Sequence, residues 1–182
     1  MKQYDTIFLD RDGTLNPDPG YINSVDQFTF YDYTMDALKQ LSDSGNRFCI
    51  ITNQSGIARG IVTLDALAEI HDYVLNAFHE NELELLGIYF CPDHPDEATE
   101  NRKPGIGMFK EAAIDHQIDL GKSIMIGDAV SDIEAGVNSN MDTMLLLSGR
   151  GEDAQKNLGE FSPTYIAKDL AEGAGQILGM SS

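Results

Sequence analysis

Two aspartates one residue apart, Asp10 and Asp12, follow the apolar run Ile7-Phe8-Leu9 and precede Gly13-Thr14-Leu15. A buried strand holds groups at its C-terminal end rigidly, and strand alternation points both carboxylates to one side. That arrangement suits metal-assisted phosphoryl transfer, in which one carboxylate attacks phosphorus and the other moves protons. Taken alone, the spacing also fits a solvated acidic loop. It does not fit an EF-hand calcium loop, because a glycine in sixth place would start that register at Phe8.

Three further segments supply company for the pair. Thr52-Asn53-Gln54-Ser55-Gly56 offers a hydroxyl and successive backbone N–H groups for phosphoryl oxygens, although an ordinary Asx/Ser turn reads the same way. In Arg102-Lys103-Pro104, proline suits a first helical turn, so a helix opening at Pro104 would aim its N-terminus and the Lys103 ammonium at one anion. The plainer reading is a solvated lysine. Ile126-Gly127-Asp128 ends another apolar run, and Asp128 with Asp10 would give Mg²⁺ hard oxygen ligands. Asp132 is either an acceptor behind those ligands or a helix-start charge. Arg59 and Arg102 are candidates for clamping a second phosphate or sugar hydroxyls through their planar forks, or are simply solubilising.

The elements that would position these residues alternate. β-rich apolar runs are expected at Tyr4–Asp10, Arg47–Asn53, Gly87–Cys91, Ser123–Asp128, Asp142–Leu147 and Thr164–Ala167, each apolar enough to be covered on both faces. Helical spacing joins Met35, Leu38 and Leu41, then Leu67, Ile70, Val74, Ala77 and Phe78, then Met108, Phe109, Ala112 and His116. Gly45 suits the end of the first helix, and Thr63 the cap of the second. Ser131-Asp132-Ile133-Glu134 has capping-box spacing, and a last helix is expected from Asp169 to Leu178. This order predicts a doubly wound parallel sheet, a three-layer Rossmann-like α/β fold with ligands beyond the carboxyl ends of the strands. Residues 16–32 and 92–107 lack periodicity, follow strands and should overhang the site. Neither is long enough for a large cap domain. The stretch 149–160 is expected to be a mobile connection without a functional assignment.

With 182 residues, one domain spanning 1–182 is expected. Against 30 Asp+Glu stand only 12 Lys+Arg, and the net charge of −18 disfavours nucleic acid and anionic membranes as partners. Any cation beside the acidic pair therefore stands out. Cys49 and Cys91 make no disulfide framework, the start is not a signal peptide, and no apolar run reaches the roughly 18 residues of a membrane span. A cytoplasmic, monomeric protein with reduced thiols is expected.

In this order, Asp10-x-Asp12-Gly13-Thr14, Thr52, Lys103 and Gly127-Asp128-x-x-x-Asp132 resemble the four motifs of the haloacid-dehalogenase superfamily over nearly the whole chain. Asp10 to Asn16, Thr52 to Gly60, Cys91-Pro92-x-His94-Pro95 and Arg102-Lys103-Pro104 look more closely like the family of D-glycero-D-manno-heptose 1,7-bisphosphate phosphatases. Histidinol-phosphate phosphatases are the near relatives. The resemblance implies a Mg²⁺-dependent phosphatase that cleaves a sugar bisphosphate to the 1-phosphate through an aspartyl-phosphate, supplying heptose for a surface polysaccharide or lipopolysaccharide. It implies Asp10 as nucleophile, Asp12 as acid and base, and Thr52 and Lys103 on the phosphoryl oxygens. The implied metal ligands are the Asp10 and Asp128 side chains and the Asp12 carbonyl; Asn53, Gln54, Arg59 and Arg102 would meet the substrate. Two departures matter. Many relatives complete a zinc site with two cysteines before Arg-Lys-Pro, where this chain has Thr99, Glu100 and Asn101; Cys91 and His94 alone do not close a tetrahedral site, so no structural zinc is expected. Ala129 replaces a lysine that close relatives often carry. From another class, a phospho-receiver module shares a parallel α/β fold with a phosphorylatable aspartate, but Asp12 and a lysine ahead of a helix argue against it.

Overall fold

The computed structural model describes residues 2–180. Strands β1 (Thr6–Leu9), β2 (Arg47–Asn53), β3 (Leu85–Cys91), β4 (Ile124–Gly127), β5 (Asp142–Leu146) and β6 (Tyr165–Ala167) form one sheet in the order β3-β2-β1-β4-β5-β6. Every neighbouring pair is parallel. The strands expected from the apolar runs are all present, with ends moved by a residue or two. The chain winds outward from β1 first through β2 and β3, then through β4, β5 and β6, so the topological switch lies between β1 and β4. A crevice opens at such a point beyond the strand C-termini.

Among the described residues, six α-helices cover the sheet: α1 (Thr34–Ser42), α2 (Leu64–Glu80), α3 (Gly107–His116), α4 (Val130–Asn138), α5 (Gly151–Lys156) and α6 (Leu170–Leu178). Alternation splits each central strand between two cores. Ile7, Leu9, Phe48, Ile50, Ile124 and Ile126 pack with the apolar faces of α1, α2 and α6. Phe8, Cys49, Ile51 and Met125 turn the other way, onto α3 and Ala135 of α4. Burial on both faces explains why these runs are continuous in the sequence rather than alternating. Cys49 and Cys91 are both buried and unpaired. Among the described residues, no helix is long and apolar enough to cross a membrane.

Local signals held at several ends. Thr63 Oγ1 accepts the Ala66 N–H at 3.1 Å, Asp169 caps α6 through the Glu172 N–H at 3.0 Å, and Gly45 takes a left-handed φ of +82° just past α1.

Three expectations need correction. The third helix starts at Gly107, not Pro104, because 102–107 is first used up in a tight loop. In it the Gly105 N–H donates to Arg102 O at 2.7 Å and the Gly107 N–H to Glu100 O at 2.8 Å. A Cβ at Gly105 would lie 2.3 Å from Glu100 O, so the turn requires glycine. The cap of α4 is Ala129 rather than Ser131. Asp132 Oδ2 accepts the Ala129 N–H at 3.0 Å, which is half of a capping box; the alanine methyl cannot supply the other half. Finally, 149–160 is not a bare connection but contains α5, six residues long and seated on Ile133 and Leu145 through Ala154. So short a helix shows no period in sequence and depends on docking.

Candidate active site

The turn after β1 fixes the two aspartates. The Asp10 N–H still pairs with Ile126 O at 3.0 Å, and the chain then reverses through Gly13, φ +89°, with the Leu15 N–H on Arg11 O at 2.8 Å. Glycine is required twice over, since a Cβ at Gly13 would fall 2.1 Å from Asp128 Oδ2. Arg11 is fully buried, its Nε and Nη2 forking onto Asp12 at 3.0 and 2.8 Å and its guanidinium lying 5.8 Å from the Phe28 ring centre. Asn16 and Gln54 each donate a further bond to Asp12, both at 2.9 Å. Burial alone would push the Asp12 carboxyl up; Arg11, Asn16 and Gln54 outweigh it and hold the group below its ordinary range. Asp12 is therefore ionised in the free protein.

Asp10 has a different environment. Its Oδ1 accepts the Lys103 ammonium at 2.8 Å, and Lys103 also donates to Ile51 O and pairs with Asp132 Oδ1, each at 2.7 Å. All three ammonium protons are thus spent on buried acceptors. Burial pushes Asp10 up to about 7 against the pull of Lys103, with Asp132 adding to the rise. For Lys103, burial lowers the affinity for its proton, but Asp10 and Asp132 more than reverse this.

The backbone of Lys103 is held by Asn53: Asn53 Nδ2 donates to Lys103 O at 3.0 Å and Oδ1 accepts the Lys103 N–H at 3.1 Å. Gln54 Nε2 reaches both Asp12 and Thr52 Oγ1, the latter at 2.9 Å. Both side chains, expected to face substrate, line the pocket and also position Lys103, Asp12 and Thr52. A sequence cannot show whether a polar side chain after a strand turns outward or back.

Asp128 at the end of β4 closes the group. Burial pushes it up to about 8, with Asp10 and Asp132 adding to the rise and the Arg150 N–H and Lys103 opposing it. Asp10, Asp128 and Asp132 each bring a carboxylate oxygen within 4.8 Å of the others. Such crowded, hard oxygens fit Mg²⁺, and the closeness of Gly13 and Gly149 to Asp128 leaves no room for a side chain at either position. Asp132 has both oxygens engaged, by Lys103 and the Ala129 N–H, which leaves Asp10 and Asp128 to face a cation.

Above these groups lies a cavity of about 350 Å³. Arg59, Arg102 and Lys103 line it, with Ser55 and Gly56 from the segment after β2, and Gly20, Tyr21 and Pro95 from the stretches expected to overhang the site. Sequence reasoning missed Asp18 and Arg150, which pair across the mouth at 2.7 Å. The one signal available, a cation between Gly149 and Gly151 in a very acidic chain, lay in the stretch that seemed featureless. At the 91–103 loop, the His94 Nδ1 accepts the Asp96 N–H, Asp93 binds Thr99, and Arg102 Nη1 donates to Asp93 O at 3.0 Å.

Residues 100–173 match the family described as "HAD-hyrolase-like". A D-glycero-beta-D-manno-heptose-1,7-bisphosphate 7-phosphatase of Yersinia pestis is 37% identical over 174 residues, covering 91% of each chain. Its counterpart in Pasteurella multocida is 37% identical over 97% of this chain and 98% of its own. The crystal structure of D,D-heptose 1.7-bisphosphate phosphatase from B. bronchiseptica, complexed with magnesium and phosphate, superposes with a TM-score of 0.88 and 30% identity, covering the whole of both chains. By these likenesses over nearly its whole length, the chain belongs to the haloacid-dehalogenase-like phosphoric monoester hydrolases, in the family of the heptose 1,7-bisphosphate 7-phosphatases.

Proposed function

We propose that this enzyme hydrolyses D-glycero-D-manno-heptose 1,7-bisphosphate to the 1-phosphate through a phosphorylated Asp10. The observation that carries the reading is the contrast between the environments of the two neighbouring aspartates: Asp10 against Lys103 and the carboxylate cluster, Asp12 on the Arg11 fork. Asp10 attacks phosphorus in line, and the bond to the sugar oxygen breaks as Asp12 gives that oxygen a proton. Because Arg11 holds Asp12 ionised in the free protein, the proton is taken up as the phosphate dianion arrives beside it and offsets the guanidinium. Asp12 then takes a proton from the water that attacks the acyl phosphate, releasing phosphate and restoring Asp10. Thr52 and Lys103 receive charge on the equatorial oxygens. The Asp10 and Asp128 carboxylates, with the Asp12 carbonyl, would hold Mg²⁺, which would supply positive charge to those oxygens. The same reading leaves structural zinc out of the 91–103 loop, whose hydrogen bonds described above hold it with Cys91 and His94 as its only soft ligands.

Arg59 bears no ion pair among the described residues and Arg102 keeps most of its fork free, so both are assigned to the second phosphate. Purified enzyme with Mg²⁺ is expected to release phosphate from the heptose bisphosphate with far higher kcat/KM than from histidinol phosphate. Arg59→Ala should raise KM for the bisphosphate about tenfold. A preference for histidinol phosphate would overturn the substrate, and an unchanged KM would remove Arg59 from the clamp.

A further inference from the structure

Arg150 is built into the site by its backbone and left free at its tip. A Cβ at Gly149 would sit 2.2 Å from Asp128 Oδ2, and one at Gly151 would sit 1.7 Å from Leu146 O. The residue between these two glycines is thus pressed against the end of β5, and its N–H donates to Asp128 Oδ2 at 2.7 Å. From that anchored base the side chain, 70% exposed, runs out over the mouth to Asp18. The contact is a single one, Nη2 to Oδ2 at 2.7 Å, so most of the guanidinium fork is unspent. Asp18 does not depend on it, because its other oxygen accepts the Gly20 N–H at 2.9 Å within its own turn. A pair bound by one contact, with each partner otherwise secured, is suited to exchange.

The charge distribution says what it would be exchanged for. Of the 12 Lys+Arg in a chain of net charge −18, four (Arg59, Arg102, Lys103 and Arg150) line this one cavity. Lys103 is consumed by Asp10 and Asp132, which leaves three arginines lining the rest of the cavity. On the Asp128 side, Ala129 and Ser131 bring no charge, so Arg150 is the cation available there.

Resting on the proposed function above, we infer that Arg150 is a third arm of the clamp for the substrate's second phosphate, parked on Asp18 in the free enzyme and handed over when a bisphosphate enters. Asp18 is then a specificity residue of opposite sign, competing with the substrate for the guanidinium.

The test compares kcat/KM for the heptose bisphosphate with that for p-nitrophenyl phosphate, which lacks a second phosphate, in wild type, Arg150→Ala and Asp18→Asn. Arg150→Ala is expected to cut the preference for the bisphosphate about tenfold through KM, while Asp18→Asn, which keeps an acceptor for the Gly20 N–H, raises it. A plain structural strap between the two loops predicts that both variants lower the preference together with melting temperature; that outcome, or a preference unmoved by Arg150→Ala, overturns the inference. If wild type itself does not prefer the bisphosphate, the proposed function fails first. If it does and only the variants disappoint, the fault lies with Arg150.

Discussion

Asp10→Asn is expected to reduce turnover by at least about a thousandfold, the equivalent of roughly 4 kcal/mol of transition-state stabilisation. The amide is almost the same size and can still face Lys103, but it has no carboxylate oxygen to form the bond to phosphorus. The fold should not suffer. Asp10 is buried among Asp128, Asp132 and Asp12, and burial with these neighbours already pushes its carboxyl up to about 7. Removing one negative charge from that group relieves repulsion, so the metal-free variant should melt no lower than wild type above neutral pH. Steady-state phosphate release and a thermal melt on the same preparation read both quantities. More than about a hundredth of the wild-type rate in the variant would show that Asp10 is not the nucleophile.

Lys103→Met is expected to damage both activity and stability. Lys103 is 3% exposed, and loss of its ammonium strands three buried acceptors, Asp10 Oδ1, Asp132 Oδ1 and Ile51 O. Replacing an entire buried ion pair with apolar groups is often harmless, whereas removing one partner leaves uncompensated charge and costs about 3–5 kcal/mol. The cost should depend on pH in a definite direction. Lys103 binds its proton more tightly folded than unfolded, so its contribution is complete below its unfolded value of 10.5 and is constant from pH 5 to 8 in wild type. The carboxylates do respond. Asp10 and Asp128, at about 7 and 8 with the lysine present, take up protons more readily in the folded state than in the unfolded one, so stability falls as pH rises through that window in both proteins; removing the ammonium, which opposes the rise of both, makes the fall steeper in the variant. The melting-temperature gap between wild type and Lys103→Met should therefore be wider at pH 8 than at pH 5.5, with kcat down by about two to three orders of magnitude at either pH. An equal gap at the two pH values would mean that Lys103 serves packing rather than charge balance.

What the sequence made legible was what local pattern encodes. Apolar runs covered on both faces marked the six strands, and Asp10, Thr52 and Asp128 stood at strand ends where a doubly wound sheet gathers ligands. Less legible was anything decided by partners distant in the chain. Arg11, between two acids, looks solvated, yet Asp12 and the Phe28 ring draw it into full burial. Asn53 and Gln54 look like ligand-facing polar groups, but Lys103, fifty residues on, and Asp12, forty-two residues back, take their hydrogen bonds. Proline at 104 suggested a helix start that the Glu100 and Arg102 carbonyls claim for a turn. Arg150 escaped notice because its importance comes from Asp128 and Asp18, neither of which is near it in sequence.

The two cysteines turn the sheet into its own timepiece. Cys49 lies in β2 between β1 and β3, and Cys91 ends the edge strand, where its carbonyl holds the Gln54 N–H at 2.7 Å. Burial pushes both thiols up from their ordinary value and shields them from solvent, so a thiol-modifying reagent reaches them only when the strands part. Each modification event then counts one opening of the half of the molecule that carries Thr52 and holds Lys103 in place. Cys91, at the rim, should be modified before Cys49, and Mg²⁺ with phosphate should slow both, so that loosening of the catalytic half can be followed in the native chain without any introduced label.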